Sequence, residues 1–454
     1  MLSAPAVCNK SATNFALIGS LALVLHKIFN RTLVEYPIKA AKALGAEVCL
    51  VVGHMADDVK KEVGNEVYYR VQTEQLGTGH AVMQAIDFIN DCDLVLILYG
   101  DTPLITTDTL NKLIAYHIRH KCVGTVLSAY VDNPFGYGRI VRNSFNEFEK
   151  IVEEKDTNIT QKKIKEINGG MYVFNANSLL EALKKLTNNN AQKEYYFTDV
   201  LDIISENDGK IDAYMIKDNT EILGVNSKVQ LAEATSIIKN RINSAHMAKG
   251  VIIEDPQNTY IEPDIQIGID TTIEPGCVLK SNTIIGDNCT IGYNTKITNS
   301  IIKNNVKIES SIIIDSTIGQ NTNIGPFAYI RPNSNVGENV KIGDFVEIKN
   351  SNIGNRTKVA HLTYIGDADI GKDVNFGCGT VIVNYDGKNK YRSEIKDNVF
   401  IGCNTNFISP VTIESNSYIA AGSTITKDVP ENTLAVARAR QINKEGRAKN
   451  KKNN

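Results

Sequence analysis

Long apolar runs, net charge and paired cysteines are all scarce in this sequence. No apolar stretch reaches the roughly 18 residues that a membrane-spanning helix needs, which excludes a helical membrane protein. With 49 Lys and Arg against 51 Asp and Glu, no global charge favours nucleic acid or a membrane surface. The eight cysteines include no Cys-x-x-Cys pair, so neither a zinc site nor a disulfide framework is indicated. We expect a protein of the reducing cytoplasm.

The length and the two ends of the chain add little. At 454 residues the chain is too long for one ordinary core, and two domains are expected. The weakly apolar segment 15–25 is interrupted by Gly19 and Ser20 and has no persuasive cleavage site, so we do not expect a secretory leader. The basic run 444–454 is expected to be a frayed tail, or else a segment that reaches an anionic ligand.

Apolar residues return at every sixth position through much of the second half, with a few shorter or longer steps. They are Ile318, Ile324, Ile330, Val336, Ile342, Ile348, Ile353, Val359, Ile365, Ile370, Phe376, Ile382, Ile395, Ile401, Phe407, Ile413, Ile419 and Ile425. In many units Gly follows, as in Gly319, Gly325, Gly343 and Gly402. A period of six is typical of a hexapeptide β-helix, whose aliphatic residues point inward and whose glycines permit the corner turns. The spacing predicts a parallel β-helix prism over about residues 251–426, rather than a β-sandwich with accidental spacing.

The first half of the chain alternates between helix and strand patterns. Helices are predicted over 34–44, 79–89 and 107–118, and strands over 47–52, 94–98 and 124–130. Continuous apolar runs with helices between them indicate an α/β domain with a mainly parallel, Rossmann-like sheet covered on both faces. A helical pattern over 227–247 without Gly or Pro predicts a connecting helix. The expected domains are a sheet domain over 1–226, a linker helix over 227–249, and a prism domain with its tail over 250–454.

Two motifs stand where strands of an open α/β sheet end, which is where such sheets bind ligands. Asp101 leaves a buried strand directly after a Gly, which suits a Mg²⁺ ligand beside a phosphate chain or a cap for the next helix. Gly77-Thr78-Gly79 precedes a helix and suits a base or phosphate contact, or only a turn. Together the two motifs favour nucleotide binding. Asn168 and Asn226 are further polar strand ends, with turn chemistry as the alternative.

Polar residues of unusual type recur at corners of the prism. Arg331 and Lys349 are two cations a few coils apart that suit a sugar phosphate, and His361 suits removal of a proton from an attacking amine. The alternative is that a prism face is polar in any case. The loop Asn384-Tyr385-Asp386-Gly387-Lys388 departs from the count of six, and interruptions in solenoids map to one functional face.

The chain resembles a known family, the bacterial bifunctional UDP-N-acetylglucosamine pyrophosphorylases / glucosamine-1-phosphate N-acetyltransferases, from about residue 24 to about residue 446. The segments that carry the resemblance are Glu74-Gln75-Leu76-Gly77-Thr78-Gly79-His80-Ala81, Tyr99-Gly100-Asp101-Thr102-Pro103-Leu104 and His361-Leu362-Thr363-Tyr364-Ile365-Gly366-Asp367. It implies a left-handed β-helix that transfers acetyl from acetyl-CoA to glucosamine 1-phosphate. It also implies a sheet domain that joins N-acetylglucosamine 1-phosphate to UMP from UTP with Mg²⁺, and a homotrimer with each acetyl site between neighbouring prisms.

The resemblance extends to single residues. In the acetyl site the general base matches His361, the sugar-phosphate contacts match Arg331 and Lys349, and the residues around the sugar match Tyr364 and Asn375. The coenzyme A contacts match Cys378, Asn384, Tyr385, Cys403, Ala421 and Arg438. At both cysteine positions the family more often has a small residue such as Ala or Ser. In the uridyl site the Mg²⁺ ligands match Asp101 and Asn226, and the remaining contacts match Gln72, Gly77, Thr78, Tyr99, Gly100, Gly138, Glu153 and Asn168.

The first 23 residues depart from the family pattern. The family opens with a strand and a Leu-Ala-Ala-Gly-x-Gly-Thr-Arg-Met loop, whose amides and Arg, with a later Pro-Lys, hold the triphosphate. Here the match begins at Val24, with Ala22-Leu23 in the Pro-Lys place and no such loop before it. The first strand is therefore in question, and without the loop uridylyl transfer is expected to slow by orders of magnitude. A shifted reading frame or decay of one activity would each produce this pattern.

Three other functions stay open beside the bifunctional enzyme. They are a monofunctional acetyltransferase with a non-catalytic sheet domain, a non-catalytic assembly subunit, and an acyltransferase for a different amino sugar. The combination of His361 with Arg331 and Lys349 argues against the assembly subunit, because a scaffold has no use for it.

Overall fold

The computed structural model describes residues 14–18, 22–53, 55–190 and 193–447, and the chain forms two compact units that divide between Ile238 and Lys239. Most of residues 1–23, whose sequence departs from the family pattern, lie outside these ranges, as does the tail beyond residue 447. Within them, no helix combines the length and apolar character needed to cross a membrane.

The first unit is built on a twisted sheet. Its strands are β1 (Asn14–Ile18), β2 (Lys27–Ile28), β3 (Arg31–Thr32), β4 (Glu47–Val52), β5 (Tyr68–Val71), β6 (Leu94–Tyr99), β7 (Gly124–Tyr130), β8 (Arg139–Arg142), β9 (Phe148–Val152), β10 (Glu166–Asn175) and β11 (Ile211–Ile216). The order across the main sheet is β11-β7-β10-β6-β1-β4-β5, with β8 and β9 attached beside β10 and a separate β2–β3 hairpin. Only β10 runs antiparallel to its neighbours on this path, so within the described residues the sheet is mainly parallel, as predicted.

The helices of the chain are α1 (Glu35–Lys42), α2 (Ala56–Val63), α3 (Thr78–Met83), α4 (Ile86–Ile89), α5 (Thr107–Arg119), α6 (Ala176–Leu183), α7 (Asp199–Glu206) and α8 (Lys228–Ala248). The single helix predicted over 79–89 is wrong, because Ala85 leaves helical geometry (φ −104°, ψ 13°) and splits it. Strand β6 shows why its sequence is a continuous apolar run. Val95 and Ile97 enter one core, while Leu96 and Leu98 enter the core on the opposite face.

Strand β1 corrects the expectation drawn from the unusual first residues. The backbone of Asn14–Ile18 pairs in parallel with β4 on one side and β6 on the other, with Ile18 opposite Val51 and Tyr99. The first strand therefore forms, and it lies inside the sheet between β4 and β6 although the residues around it depart from the family pattern.

The second unit is a prism of parallel strands on three faces. Face one contains Ile252–Ile253, Thr272–Ile273, Thr290–Ile291, Lys307–Ile308, Asn323–Ile324, Lys341–Asp344, Lys358–His361, Asn375–Phe376, Phe400–Ile401, Tyr418–Ile419 and Leu434–Ala435. Face two contains Tyr260–Ile261, Val278–Lys280, Lys296–Thr298, Ile312–Ile314, Tyr329–Ile330, Glu347–Lys349, Tyr364–Gly366, Val381–Val383, Asn406–Ile408 and Thr424–Ile425. Face three contains Gln266–Ile267, Ile284–Ile285, Ile301–Ile302, Ser316–Ile318, Ser334–Val336, Asn352–Ile353, Ala368–Ile370, Ser393–Ile395 and Thr412–Ile413.

The core of the prism confirms the count of six. Every periodic apolar residue from Ile318 to Ile425 named above is buried, and all of them belong to one continuous apolar cluster. Each stacks on its counterpart one coil away, as Ile330 does on Ile348 and Ile348 on Ile365. Parallel strands in hexapeptide repeats of this kind are consistent with the predicted left-handed β-helix.

The prediction that glycine permits the corner turns is wrong for most of the quoted repeats. Gly319 and Gly343 do not have positive φ angles, but a Cβ on either would overlap backbone atoms of the next coil. These glycines therefore allow consecutive coils to approach closely. The left-handed corner positions are occupied mainly by Asn and Asp, such as Asn321 (φ 58°) and Asn339 (φ 57°), whose short polar side chains tolerate that conformation.

Candidate functional site

A column of side chains runs along one corner of the prism, where face one gives way to face two. Asp344 pairs directly with His361 between neighbouring strands. The same register continues through Val359, Phe376, Ile401 and Ile419 on successive coils. The residue two positions after each of these, and after Ile342, therefore also lies in line along the corner. We call this set the corner column: Asp344, His361, Cys378, Cys403 and Ala421. Arg438 reaches the far end, where its Nη1 donates to the Ala421 carbonyl at 2.9 Å.

His361 is held by a carboxylate that sequence reasoning did not identify. Its Nδ1 lies 2.6 Å from Asp344 Oδ1, and this hydrogen bond holds the pKa of Asp344 below its usual range. A carboxylate on Nδ1 fixes the tautomer that leaves Nε2 free to accept a proton, which is the arrangement a general base needs. Both side chains are well exposed to solvent. The signal for Asp344 lay in the repeat itself, since it stands one coil before His361.

Three cations meet where strands of face two end, and we call Arg331, Lys349 and Lys390 the cation cluster. Arg331 lies one coil from Lys349 in the same column, by extension of the pairing of Ile330 with Ile348. Lys390, which was not predicted, adjoins Lys349, and a side-chain hydrogen bond with Lys349, together with the charge of Lys349, lowers the pKa of Lys390. It lies in the loop that breaks the count of six, and that interruption was the only signal for it. Two ammonium groups side by side favour the binding of an anion between them.

Asp367 connects the cation cluster to Asn384, one of the predicted coenzyme A contacts. Lys349 Nζ donates to its carboxylate at 3.0 Å, and Asn350 and Asn384 donate at 2.6 and 2.5 Å. Burial acts to raise the pKa of Asp367, but these hydrogen bonds outweigh it and hold the pKa below its ordinary value. Lys349 is thereby fixed in place beside Lys390.

Tyr364 and Asn384 meet above Gly366. The Asn384 amide donates to the Tyr364 hydroxyl at 3.4 Å, and a Cβ on Gly366 would lie 2.7 Å from that amide nitrogen. Only glycine leaves room for the pair. Among the described residues, the predicted contacts Asn375 and Tyr385 do not join this network: Asn375 begins a face-one strand and Tyr385 bonds to the Gly387 carbonyl within its loop.

The second candidate site is a cavity of about 630 Å³ at the carboxyl ends of the strands of the first unit. Most of the predicted uridyl-site residues line it: Thr78, Tyr99, Asp101, Gly138, Glu153, Asn168 and Asn226. Gln72, Gly77 and Gly100 do not. Gln72 instead supports the motif from behind, since its Nε2 donates to the Gly77 carbonyl at 3.1 Å.

Asp101 and Asn226 converge on one point of the cavity wall. The Val225 amide donates to the Asp101 carbonyl at 2.9 Å, which ties the two segments together. A Cβ on Gly224 would lie 3.5 Å from Asp101 Oδ2 and 3.4 Å from Asn226 Nδ2. Burial raises the pKa of Asp101, so among the described residues this carboxylate has little to stabilise its charge. A buried carboxylate and an amide side by side suit a Mg²⁺ ion that takes its other ligands from phosphate and water.

The opposite wall of the cavity suits a sugar. Burial raises the pKa of Glu153, which lies beside Gly138 and accepts a hydrogen bond from Thr198 Oγ1 at 3.3 Å. Asn168 donates to the Tyr172 hydroxyl at 2.8 Å and accepts from the Gly170 amide at 2.9 Å. Hydroxyl groups of a ligand would meet a carboxylate and an amide here, both fixed by their own partners.

Arg139 and Glu154 are further residues at this wall that sequence reasoning missed. Arg139 is 2 % exposed and its Nη2 donates to Glu154 Oε2 at 2.6 Å, while Glu154 also accepts from the Gly136 amide at 3.2 Å. This ion pair, whose arginine is buried and whose glutamate is half-buried, holds the rim of the cavity. Arg139 begins the short strand β8, whose sequence Arg-Ile-Val-Arg does not reveal which arginine is buried, so the sequence could not have identified it.

Comparison with known proteins places both units in transferase families. Residues 24–224 match the nucleotidyl transferase family, residues 261–331 match the GMPPB C-terminal domain, and residues 315–350 and 392–427 match the bacterial transferase hexapeptide (six repeats). The chain is thus an enzyme with a nucleotidyl transferase unit followed by a hexapeptide transferase unit.

The relatives are similar over nearly the whole chain. The bifunctional protein GlmU of Acetivibrio thermocellus is 51% identical over 93% of this chain and 92% of its own length. Those of Alkaliphilus oremlandii (53% identical, 95% of each chain) and Clostridioides difficile (51% identical, 93% of this chain and 92% of its own) are similar to the same extent. The chain belongs to the family of bifunctional GlmU proteins, which does not favour the monofunctional alternative.

Proposed function

We propose that the chain catalyses two consecutive steps of UDP-N-acetylglucosamine synthesis. The prism N-acetylates glucosamine 1-phosphate with acetyl-CoA, and the sheet unit then transfers UMP from UTP to N-acetylglucosamine 1-phosphate with release of pyrophosphate. The domains we assign are 1–226 for uridylyl transfer, 227–249 for the linker helix and 250–454 for acetyl transfer. The observation that carries the proposal is the Asp344–His361 pair, which stands at the head of the corner column.

In acetyl transfer, the cation cluster would bind the phosphate of glucosamine 1-phosphate. Lys349 and Arg331 are already held by Asp367 and Glu347, so little side-chain entropy is lost on binding. The substrate amine attacks the thioester carbonyl, His361 Nε2 accepts the proton released from nitrogen, and coenzyme A departs as the thiolate. Asp344 stabilises the imidazolium that forms. Coenzyme A would lie along the rest of the corner column toward Arg438.

In uridylyl transfer, Asp101 and Asn226 would hold Mg²⁺, which when bound offsets the charge of the triphosphate. The Gly77-Thr78-Gly79 turn would face the base. It lies at the N-terminus of helix α3, where close packing of Gly77 against the Tyr195 carbonyl fixes its position. Glu153 and Asn168 would orient the sugar so that its phosphate faces the α-phosphorus of UTP. Positioning of this kind supplies most of the catalysis in transfer of phosphoryl-type groups.

The assembly and setting follow from the same proposal. A cyclic homotrimer, with each acetyl site completed by a neighbouring prism, would bring Asn375 and Tyr385 of one subunit to the cation cluster of another. The substrates are small molecules, and the expected compartment is the cytoplasm.

Two assays on the same preparation test this function. We expect coenzyme A thiol release from acetyl-CoA and glucosamine 1-phosphate, and pyrophosphate release from UTP and N-acetylglucosamine 1-phosphate with Mg²⁺. Absence of thiol release would refute the assignment of the prism. Absence of pyrophosphate release beside working acetyl transfer would show that residues 1–23 do not build a triphosphate site, and would leave a monofunctional acetyltransferase.

A further inference from the structure

We propose that Cys378 and Cys403 form a dithiol site, at which a low-molecular-weight disulfide oxidises the pair to a reversible disulfide between two coils of the prism.

The two cysteines occupy the same position on successive coils. Phe376 pairs with Ile401, and the Asn404 amide donates to the Cys378 carbonyl at 2.7 Å, so the backbone ladder continues past both cysteines. Neighbouring strands lie about 4.7–4.9 Å apart, which falls within the Cα separations of about 4.4–6.8 Å that disulfides span. Because their positions in the repeat are equivalent, the two side chains leave the corner in the same direction.

Both thiols are accessible in a way that most others are not. Cys403 is exposed and Cys378 is half-buried, while the other described cysteines are buried except for Cys92. Cys378 and Cys403 are both free thiols in this structure. A pair of reachable thiols on adjacent coils differs from a lone surface cysteine, because a mixed disulfide formed on one has a resolving thiol beside it.

The geometry favours a disulfide that forms and is readily reduced. The Cβ atoms of a disulfide lie about 3.8 Å apart, so the two coils must approach each other by up to about 1 Å at this point. Gly377 and Gly402 precede the two cysteines and Gly379 (φ 75°) follows the first, and glycine backbones adjust most easily. Strain that remains in the bond makes it easier to reduce, which suits a reversible modification rather than a structural cross-link.

The chemistry is two successive exchanges. The Cys403 thiolate attacks one sulfur of the small disulfide, whose S–S bond breaks, and the first small thiol leaves with a proton. The Cys378 thiolate then attacks Cys403 in the mixed disulfide, and the second small thiol leaves. The small disulfide is reduced by two electrons and the protein pair is oxidised by two.

The consequence for catalysis rests on the proposed acetyl transfer, in which both cysteines line the path of coenzyme A. His361 stands one coil from Cys378 in the corner column, so a movement of the coils at Cys378 and Cys403 displaces the thioester from the base. Misplacement of reacting groups by about 1 Å costs up to about 100-fold in rate, so we expect a loss of about 10- to 100-fold on oxidation.

The test of the site uses the full-length protein and glutathione disulfide. After treatment, free thiols are alkylated and the peptides are mapped by mass spectrometry. We expect a cross-linked peptide pair that contains Cys378 and Cys403, lost in both Cys378→Ser and Cys403→Ser and kept in the control Cys92→Ser. Absence of this cross-link, or glutathione retained on Cys403 alone, would overturn the dithiol site.

The effect on catalysis is measured as the ratio of acetyl-transfer rates of the oxidised and reduced forms of each protein. The wild type is expected to lose activity on oxidation and regain it with dithiothreitol, whereas Cys403→Ser keeps a ratio near one. A cross-link formed without any change in the ratio would overturn the link to catalysis. An inactive reduced wild type would count against the proposed acetyl transfer, while the cross-link still decides the dithiol site.

Discussion

The two units of this chain assemble their sites in opposite ways. In the prism, site residues stand at equivalent positions of consecutive coils, as Asp344 and His361 do in one ladder. In the sheet unit, the partners come from distant segments: Asp101 meets Asn226 beside Gly224, and Thr198 bonds to Glu153 across 45 positions. A repeat therefore turns sequence spacing directly into contact, whereas an open sheet brings residues together through its strand order, which spacing does not reveal.

The largest expected effect comes from a substitution in the prism that should remove acetyl transfer and leave uridylyl transfer unchanged. His361→Ala removes the base, and we expect acetyl transfer to fall by about 10²- to 10⁴-fold with uridylyl transfer unchanged. The measurement is thiol release and pyrophosphate release on the same sample. Arg356→Ala, which removes an exposed ion pair to Asp373 in the same region, serves as the matched control and should keep both rates. Retention of most acetyl transfer by the His361 variant would refute the role of this residue.

The reciprocal change lies in the sheet unit. Asp101→Asn removes the charge that would hold Mg²⁺, and we expect pyrophosphate release to fall by about 10²- to 10³-fold while acetyl transfer is unaffected. Titration of Mg²⁺ should show that more metal is needed for half-maximal rate. The exposed Asp91→Asn is the control. Equal losses in the two variants would mean that charge in general, and not this carboxylate, matters.

Substitutions in the two hydrophobic cores test whether the two units unfold independently. Ile365 belongs to the prism core and Leu96 to a core of the sheet unit, and both are fully buried. Ile365→Ala and Leu96→Ala should each lower the free energy of unfolding of their own unit by about 2–5 kcal/mol. Scanning calorimetry should show one transition shifted in each variant and the other unmoved. Equal shifts of both transitions would show that the units unfold as one.

The smallest expected effect is on the stability of the prism at acidic pH. The hydrogen bonds that hold the pKa of Asp367 below its ordinary 3.8 stabilise the folded prism fully above that pH, and this contribution is lost as the pH falls through the folded pKa. Asp367→Asn should therefore be less stable than the wild type at neutral pH, with the difference shrinking below pH 3.8. Chemical denaturation across that range is the measurement, and a difference that grows toward acid would contradict the sign.

The sequence determined the prism almost completely, because each buried Ile or Val repeats the same local environment six residues on. It misassigned the role of Gly319 and Gly343, since the approach of one coil to the next is a tertiary fact that the period does not encode. In the sheet unit it located Asp101 and Asn226 through strand ends and family resemblance. It could not locate Arg139 or Thr198, whose contacts depend on how β8 and α7 fold over the cavity.

The loop over residues 384–392 leaves the prism and returns without disturbing it. Ala368 pairs with Ser393 and Val381 with Asn406, so the coils on either side stay in register although the spacing between them is broken. The loop nevertheless supplies Asn384 and Lys390 to the site. Because the coils stay in register across the loop, insertions and deletions in it are expected to leave the prism unchanged. Substrate preference can therefore evolve through changes in this loop alone, without changes in the coils.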